Sequence, residues 1–366
     1  MSNWDTNDSY EQEGLKRHED MKTIFHKTDF ELCNIPVPQG YKQSQTHVGV
    51  GVFKGDFLLT TSPYPAYSRP LWMVYLKAII RKISGEKLFK PFIAEQWENP
   101  CLYIGVDSGD GVPISFQLLQ KTPLMPPPES YYDFPAYNSD PDLCVVDETL
   151  HVLNRTVFRV EKSQKGKQYK YFTQLFHIYG LIDNKRFKYR GTELLFETER
   201  NIVSPCITQY NGEYLLTELE TNSYNDGESF TGLFMARSSS IDGFKYNPRW
   251  ESVNVVSRGY LPWHMSLFQY DNVLYAIVAC VKMGESHRCW QMLGKFSNDL
   301  TSLFIYQIPL TDLNSYRSAA LVKDGIFILY NAVVKESFKG SKSVDGRDII
   351  MAKMPFEHII DAIERE

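Results

Sequence analysis

The stretch Tyr137-Asn138-Ser139-Asp140-Pro141-Asp142-Leu143 decides how this chain is read. A polar, acidic cluster runs straight into a short apolar strand at 143–146, a turn at Asp147-Glu148 and a second strand at 150–153. The same grammar recurs four times. It opens with Thr46-His47-Val48-Gly49 and turns at Lys54-Gly55-Asp56; with Val203-Ser204-Pro205-Cys206 and turns at Asn211-Gly212. It opens again with Pro262-Trp263-His264-Met265 and turns at Asp271-Asn272, and with Tyr316-Arg317-Ser318-Ala319 and turns at Asp324-Gly325. Asn-Gly and Asp-Gly between apolar runs are strong hairpin signals, because both central turn residues must take positive φ. A third apolar run follows each pair, at 101–106, 175–182, 233–236, 289–293 and 348–354.

Repeats starting roughly 50 to 90 residues apart, each with three or four short strands, are the pattern of propeller blades. They predict an all-β fold, a five-bladed β-propeller over residues 46–356, with 1–45 as an N-terminal extension packing onto it. A helical insertion, 66–97, interrupts the first blade, and 357–366 form a C-terminal tail. A β-sandwich with a second domain would not explain why a polar residue stands just before every inner strand. Within the insertion, Trp72, Tyr75, Leu76, Ile79, Ile80 and Ile83 fall on one side of a helix over 70–90, and Lys77, Arg81 and Lys82 on the other. Such a helix would cover the propeller, serve as a lid, or meet a partner or a membrane surface. Residues 122–128 read as a stiff, proline-rich linker between the first two blades.

Composition narrows the function classes. The 366 residues include 23 Tyr, 22 Phe and 6 Trp and carry a net charge of −5, which argues against a general nucleic-acid binder. There is no apolar run long enough for a spanning helix. The N-terminus lacks the basic and apolar regions of a secretory signal, so a cytoplasmic location is expected; a phage-associated or non-classically exported protein would present the same sequence feature. The cysteines at 33, 101, 144, 206, 280 and 289 are scattered, without a CxxC pair, and are expected to be buried reduced thiols. Zinc-protease, Walker and dinucleotide-binding motifs are absent from the sequence.

The motifs resemble the five-bladed propeller superfamily of glycoside hydrolase families 43, 32, 62 and 68, through Asn138-Ser139-Asp140-Pro141-Asp142-Leu143, Glu98-Asn99-Pro100, Ser204-Pro205 and the Gly/Asp turns. The series Ser62–Pro65, Glu98–Pro100, Asn138–Pro141, Pro262–His264 and Tyr316–Ser318 is similar, in this order, to that of a group of bacterial and phage propellers. The resemblance implies three carboxylates: a base or nucleophile on the first blade, an orienting Asp on the second and an acid on the third. It also implies a cation, commonly calcium, in the axial channel. Asp140 matches the second-blade Asp; His47 stands at the first-blade position and Val203-Ser204 at the third.

In a propeller the starts of inner strands, the ends of second strands and the starts of third strands share one face around the axis. That face would gather His47, Asp140, Ser204, His264 and Arg317, then Tyr64, Arg155 and Glu220, then Glu98 and Asn99, with Asp142 two residues after Asp140. Glycoside cleavage needs one protonated and one ionised carboxyl group flanking the bond. Asp140 and Glu98 are the candidates, with Glu220 as substitute, and His47, Tyr64, Asn99, Asp142, Arg155, Ser204, His264 and Arg317 are the candidate substrate contacts. Two Arg and two His suit an anionic glycan or phosphorylated sugar; alternatively, Arg155 and Arg317 pair with Asp140 and Glu220 and neutralise the channel. Asp or Ser before Pro is also an ordinary turn choice, and Asp142 would then cap backbone amides. His264 is the candidate metal ligand, although calcium prefers oxygen. Ser204, His264 and Asp140 could be written as a triad, but no nucleophile elbow accompanies them. Three readings stay open: a glycosidase with a non-standard carboxylate pair, a glycan-binding propeller that has lost its acid and base, and a structural or assembly protein.

Overall fold

The computed structural model describes residues 22–63, 76, 79, 83, 98–106, 111–126, 136–162, 169–221, 230–283, 288–334 and 347–365. Strand β1 (Glu31–Leu32) precedes four strands, β2 (Gly49–Phe53), β3 (Asp56–Thr61), β4 (Cys101–Val106) and β5 (Ser115–Leu118), paired in that order. A second antiparallel set contains β6 (Ala136–Val146), β7 (Thr149–Lys162), β8 (Tyr169–Asp183) and β9 (Arg186–Thr198). The third runs β10 (Ile202–Tyr210), β11 (Glu213–Thr221), β12 (Phe230–Ser238) and β13 (Glu251–Val256). The fourth runs β14 (Tyr260–Tyr270), β15 (Val273–Lys282), β16 (Cys289–Phe296) and β17 (Ser302–Thr311). A parallel pairing of β13 with β17, Asn254 opposite Ser302, fuses these two into one eight-stranded sheet. The last set is β18 (Ala319–Lys323), β19 (Ile326–Val334) and β20 (Arg347–Pro355), completed by β1 on the outer edge of β20.

The first strands of the sets touch in series: β2 with β6, β6 with β10, β10 with β14, β14 with β18, and β18 again with β2. The chain is a β-propeller, and its core lies between neighbouring sheets rather than at one centre. Leu58, Leu102, Leu143 and Val152 fill one such layer, and Val203, Leu219, Met265 and Trp290 another. Second strands are buried on both faces and largely apolar: Leu274–Val281 of β15 and, apart from Asn331, Phe327–Val333 of β19 are apolar and buried throughout. Outer strands alternate, as β17 does, because one face meets water.

Each inner hairpin closes through two residues at positive φ, at Lys54-Gly55, Asp147-Glu148, Asn211-Gly212, Asp271-Asn272 and Asp324-Gly325. That is the turn whose twist matches paired strands. The opposite ends of the inner strands carry bulges. Ser139 pairs with Arg155 and Asp142 with Leu153, leaving Asp140-Pro141 opposite one residue; Val203 and Cys206 likewise bracket Ser204-Pro205. Backbone bonds between Thr46 and Ser62, then the Gly49–Thr60 pairing, put His47-Val48 in the same position. A bulge re-aims a side chain. His47, Asp140 and Ser204 sit there at φ 55°, 48° and 47°.

Both chain ends pack onto the sheets. The described part of 1–45 supplies β1, and Phe25 is buried against Phe327. Residues 357–366 were expected as a tail, but Phe356–Glu364 form a helix, α1, that buries Phe356, Ile359 and Ile363. The i, i+3, i+7 spacing of these apolar residues is what lets the helix face the core. Most of the 66–97 insertion lies outside the described residues; within it, Leu76, Ile79 and Ile83 are helical and exposed. All six cysteines are free, and five are buried. Among the described residues, no helix is long and apolar enough to cross a membrane.

Candidate active site

The bulged ends converge on one buried chain of ionisable groups. His47 Nε2 lies 3.0 Å from Glu98 Oε2, and His47 Nδ1 lies 2.5 Å from Asp140 Oδ1. The imidazole thus stands between the two carboxylates named from the sequence. Asp140, fully buried, has its second oxygen 3.0 Å from Arg155 and accepts the Ser204 backbone N–H at 3.0 Å. Among the described residues, the support of Glu98 besides His47 is neutral: the Ser139 hydroxyl donates to its other oxygen at 2.5 Å. His264 meets the Ser204 hydroxyl at 2.7 Å, and its ring lies edge-on to His47, centroids 4.8 Å apart.

Electrostatics separate these groups. Burial works against a charge on His47, but Glu98 and Asp140 outweigh it and raise the imidazole from 6.5 to about 9. Burial likewise favours neutral Asp140, yet Arg155 and then His47 hold its carboxyl well below 3.8. His264 is pushed well below 6.5 by burial, against the pull of Asp140 and with the help of the cations around it. The centre therefore holds a fixed anion, a cationic imidazole and a neutral one. The Ser204-His264-Asp140 arrangement is not a triad, because Ser204 and Asp140, the latter at 3.7 Å, approach the same ring nitrogen. A triad needs them on opposite nitrogens.

The other candidates are placed differently. Arg317 is fully buried, 2.8 Å from Asp142 Oδ1, and donates to the Pro141 carbonyl at 2.8 Å. Asp142 also accepts the Ile207 N–H at 2.9 Å; burial, opposed by Arg317, raises its carboxyl to about 6. Arg317 and Asp142 thus tie three inner strands together. Asn99 is buried in a side-chain amide network: it donates to Tyr41 and to the Met125 carbonyl, and accepts from Asn138 at 3.0 Å. Glu220 stands outside the His47 chain. It lies 3.3 Å from Arg200, which also meets fully buried Glu218 at 2.5 Å, so Arg200 rather than Arg155 or Arg317 is its cation. Tyr64 lies outside the described residues.

Three groups escaped the sequence reading. Ser139 is the hydroxyl that holds Glu98. Trp263 and Tyr316, both half-buried, set their rings 5.8 and 6.1 Å from that of His264. Arg347 stacks on Tyr316 at 3.6 Å. The signal was present in the Pro-Trp-His and Tyr-Arg-Ser motifs, whose aromatic residues stand directly beside the polar ones.

His47, Asp140 and His264 can each present a ligand atom within 4.8 Å of the others, all three buried. Two imidazoles and one carboxylate do not suit calcium, which takes six to eight oxygens.

No family model and no curated protein matches the sequence. Solved structures do share the fold. An N-acetylgalactosamine deacetylase from F. plautii, in complex with blood group B trisaccharide, is similar over 93% of this chain and 96% of that one, with 15% identity and a TM-score of 0.59. A family 117 glycoside hydrolase from the marine bacterium Zobellia galactanivorans matches at 12% identity and TM-score 0.51, covering 89% and 90%. The GH43_1 enzyme from Xanthomonas citri complexed with xylotriose matches at 12% and 0.50, covering 88% and 90%. At these identities the likeness is one of fold.

Proposed function

We propose that this chain is a five-bladed propeller hydrolase acting on a glycan, and that it removes an acyl substituent in preference to cleaving the glycosidic bond. The unbroken series of contacts from β2 through β18 and back supports the count of five. The observation that carries the reaction is the imidazole of His47 standing between Glu98 and Asp140. A glycosidase pair needs room between its carboxyl groups for the sugar carbon and its water or leaving oxygen. Here that room is filled.

Asp140 is locked as an anion by Arg155 and the Ser204 amide, so it orients and does not exchange protons. Glu98 touches a neutral hydroxyl and an imidazole, so a proton can move on and off the Glu98–His47 pair. In acyl hydrolysis the pair would take a proton from water as it adds to the carbonyl carbon. It would return that proton to the departing amine or alcohol as the C–N or C–O bond breaks. Trp263 and Tyr316 offer ring faces to a sugar. Because Arg155 and Arg317 each carry a carboxylate already, a neutral glycan fits this site better than an anionic one. The solved neighbours that act on or bind glycans, a deacetylase among them, agree with this reading.

Glycosidic cleavage by Asp140 and Glu98 is the second reading, favoured by the glycoside hydrolases among the same neighbours. Quantifying both acetate and new reducing ends released from a panel of acetylated oligosaccharides separates the two. Acetate without reducing ends is the expected product. Reducing ends without acetate would replace this proposal with the second reading, and neither product would leave a binding module.

A further inference from the structure

We propose that His47, Asp140 and His264 form a binding site for one divalent transition-metal ion of the zinc or manganese type. The inference deepens the hydrolase reading, since it concerns the same centre, but it stands on separate observations.

The donor set comes first. Two imidazoles and one carboxylate, drawn from three different inner strands, bring one ligand atom each within 4.8 Å of the others. Nitrogen-rich sets with a single carboxylate are typical of zinc and its first-row neighbours, and leave coordination positions open for water or substrate. The second observation is the short contact between two of these donors. His47 Nδ1 and Asp140 Oδ1 are both buried and 2.5 Å apart, so the proton held there is the one that a bound ion would displace.

The surroundings complete the case. Arg155 and the Ser204 N–H occupy only Oδ2 of Asp140, leaving Oδ1 for an ion. Glu98 faces Nε2 of His47, so Nδ1 is the nitrogen left over. A carboxylate on the far nitrogen of a ligating imidazole is the usual device that fixes its tautomer and orientation. The Ser204 hydroxyl meets Nδ1 of His264 at 2.7 Å and fixes the orientation of that ring. Finally, His47 and Asp140 are held at left-handed φ, a backbone strain that gathers at functional sites.

The test is a calorimetric titration of the chelator-stripped full-length protein with Zn2+, Mn2+ and Ca2+, with Co2+ absorption as a second readout. One equivalent of Zn2+ or Mn2+ is expected to bind, with Ca2+ weaker by about 100-fold or more, and Co2+ should show the ligand-field bands of a histidine-bound ion. His264→Gln should abolish this binding, and Glu98→Gln should weaken it by about 10–100-fold while ligands remain. Since Glu98→Gln keeps all three ligands, it reports on the site even if His264→Gln fails to fold. His177→Gln, in the separate His151–His177 pair, should leave binding unchanged. Absence of stoichiometric binding, preference for Ca2+, or binding lost with His177 would overturn the proposal. Because none of these measurements uses turnover, metal binding without acetate release would sink the hydrolase reading alone.

Discussion

The two ends of the inner strands use the same unusual backbone for opposite purposes. At the hairpin ends, residues at positive φ are Gly, Asn, Asp, Lys and Glu; Gly55, Gly212 and Gly325 have open space where a Cβ would point. At the bulged ends, His47, Asp140 and Ser204 take similar angles while 0–6% exposed. The hairpins solve a problem of connection. The bulges hold polar side chains inside the ring, where ionised groups are costly unless paired. The difference teaches where to look: strained backbone at an exposed turn is architecture, whereas the same strain on buried ionisable residues marks a site.

Removing Asp140 should break this contrast most severely. Asp140→Ala removes the buried carboxylate that faces both Arg155 and His47, and a loss of about 3–5 kcal/mol is expected from chemical denaturation. A loss below 1 kcal/mol would mean that the buried chain is not the coupled unit described here.

The pH dependence of stability should sharpen the contrast, because two buried groups away from the centre pull in opposite directions. Burial, against the pull of Arg200, raises Glu218 from 4.5 to about 8. The folded state then holds a proton that the unfolded chain has released, so this contribution is full below pH 4.5 and is lost as pH rises to about 8. Burial, reinforced by His151 at 2.9 Å, lowers His177 from 6.5 to about 3. Its contribution is full above pH 6.5 and is lost as pH falls towards 3. Denaturation midpoints should therefore be highest between about pH 4.5 and 6.5, declining below that window and, up to about pH 8, above it, with Glu218→Gln flattening the alkaline limb and His177→Gln the acid limb. Limbs unchanged in these variants would show that other groups set the profile.

The smallest effects compare the two ends directly. Gly212→Ala, at φ 82° with open space around it, should cost about 1 kcal/mol in stability and leave turnover unchanged. Ser204→Gly relieves similar strain but loses the bond to His264, so the net stability change should fall within about 1 kcal/mol. Turnover should fall in that variant. Equal effects of the two substitutions on turnover would erase the distinction drawn between the ends.

Much of the fold was legible because hairpins and bulges are local. Asn211-Gly212 and Asp324-Gly325 announce turns whose requirement for positive φ is intrinsic to the residues, and Pro141 and Pro205 mark where the ladder loses a donor. The gathering of His47, Glu98, Asp140 and His264 followed from placing these repeats around an axis. The pairings within the gathering were not legible. Whether Arg317 meets Glu220 or Asp142 depends on how far each sheet is rotated against the next, and no local pattern encodes that angle. The role of Glu98 depends likewise on Ser139, a residue 41 positions away that reads as part of a turn. The terminal helix was read as a tail, because the apolar spacing of Phe356, Ile359 and Ile363 carries meaning only once the last sheet offers a surface to cover.

The central claim is that the Glu98–His47 pair moves the proton in a hydrolysis, with Asp140 as its fixed anchor. The direct measurement is acetate release from acetylated oligosaccharides by the wild type and by Glu98→Gln, with folding of both verified by thermal unfolding. The account predicts a drop of about 10²–10⁴-fold in the folded variant. Wild-type rates in folded Glu98→Gln would contradict it.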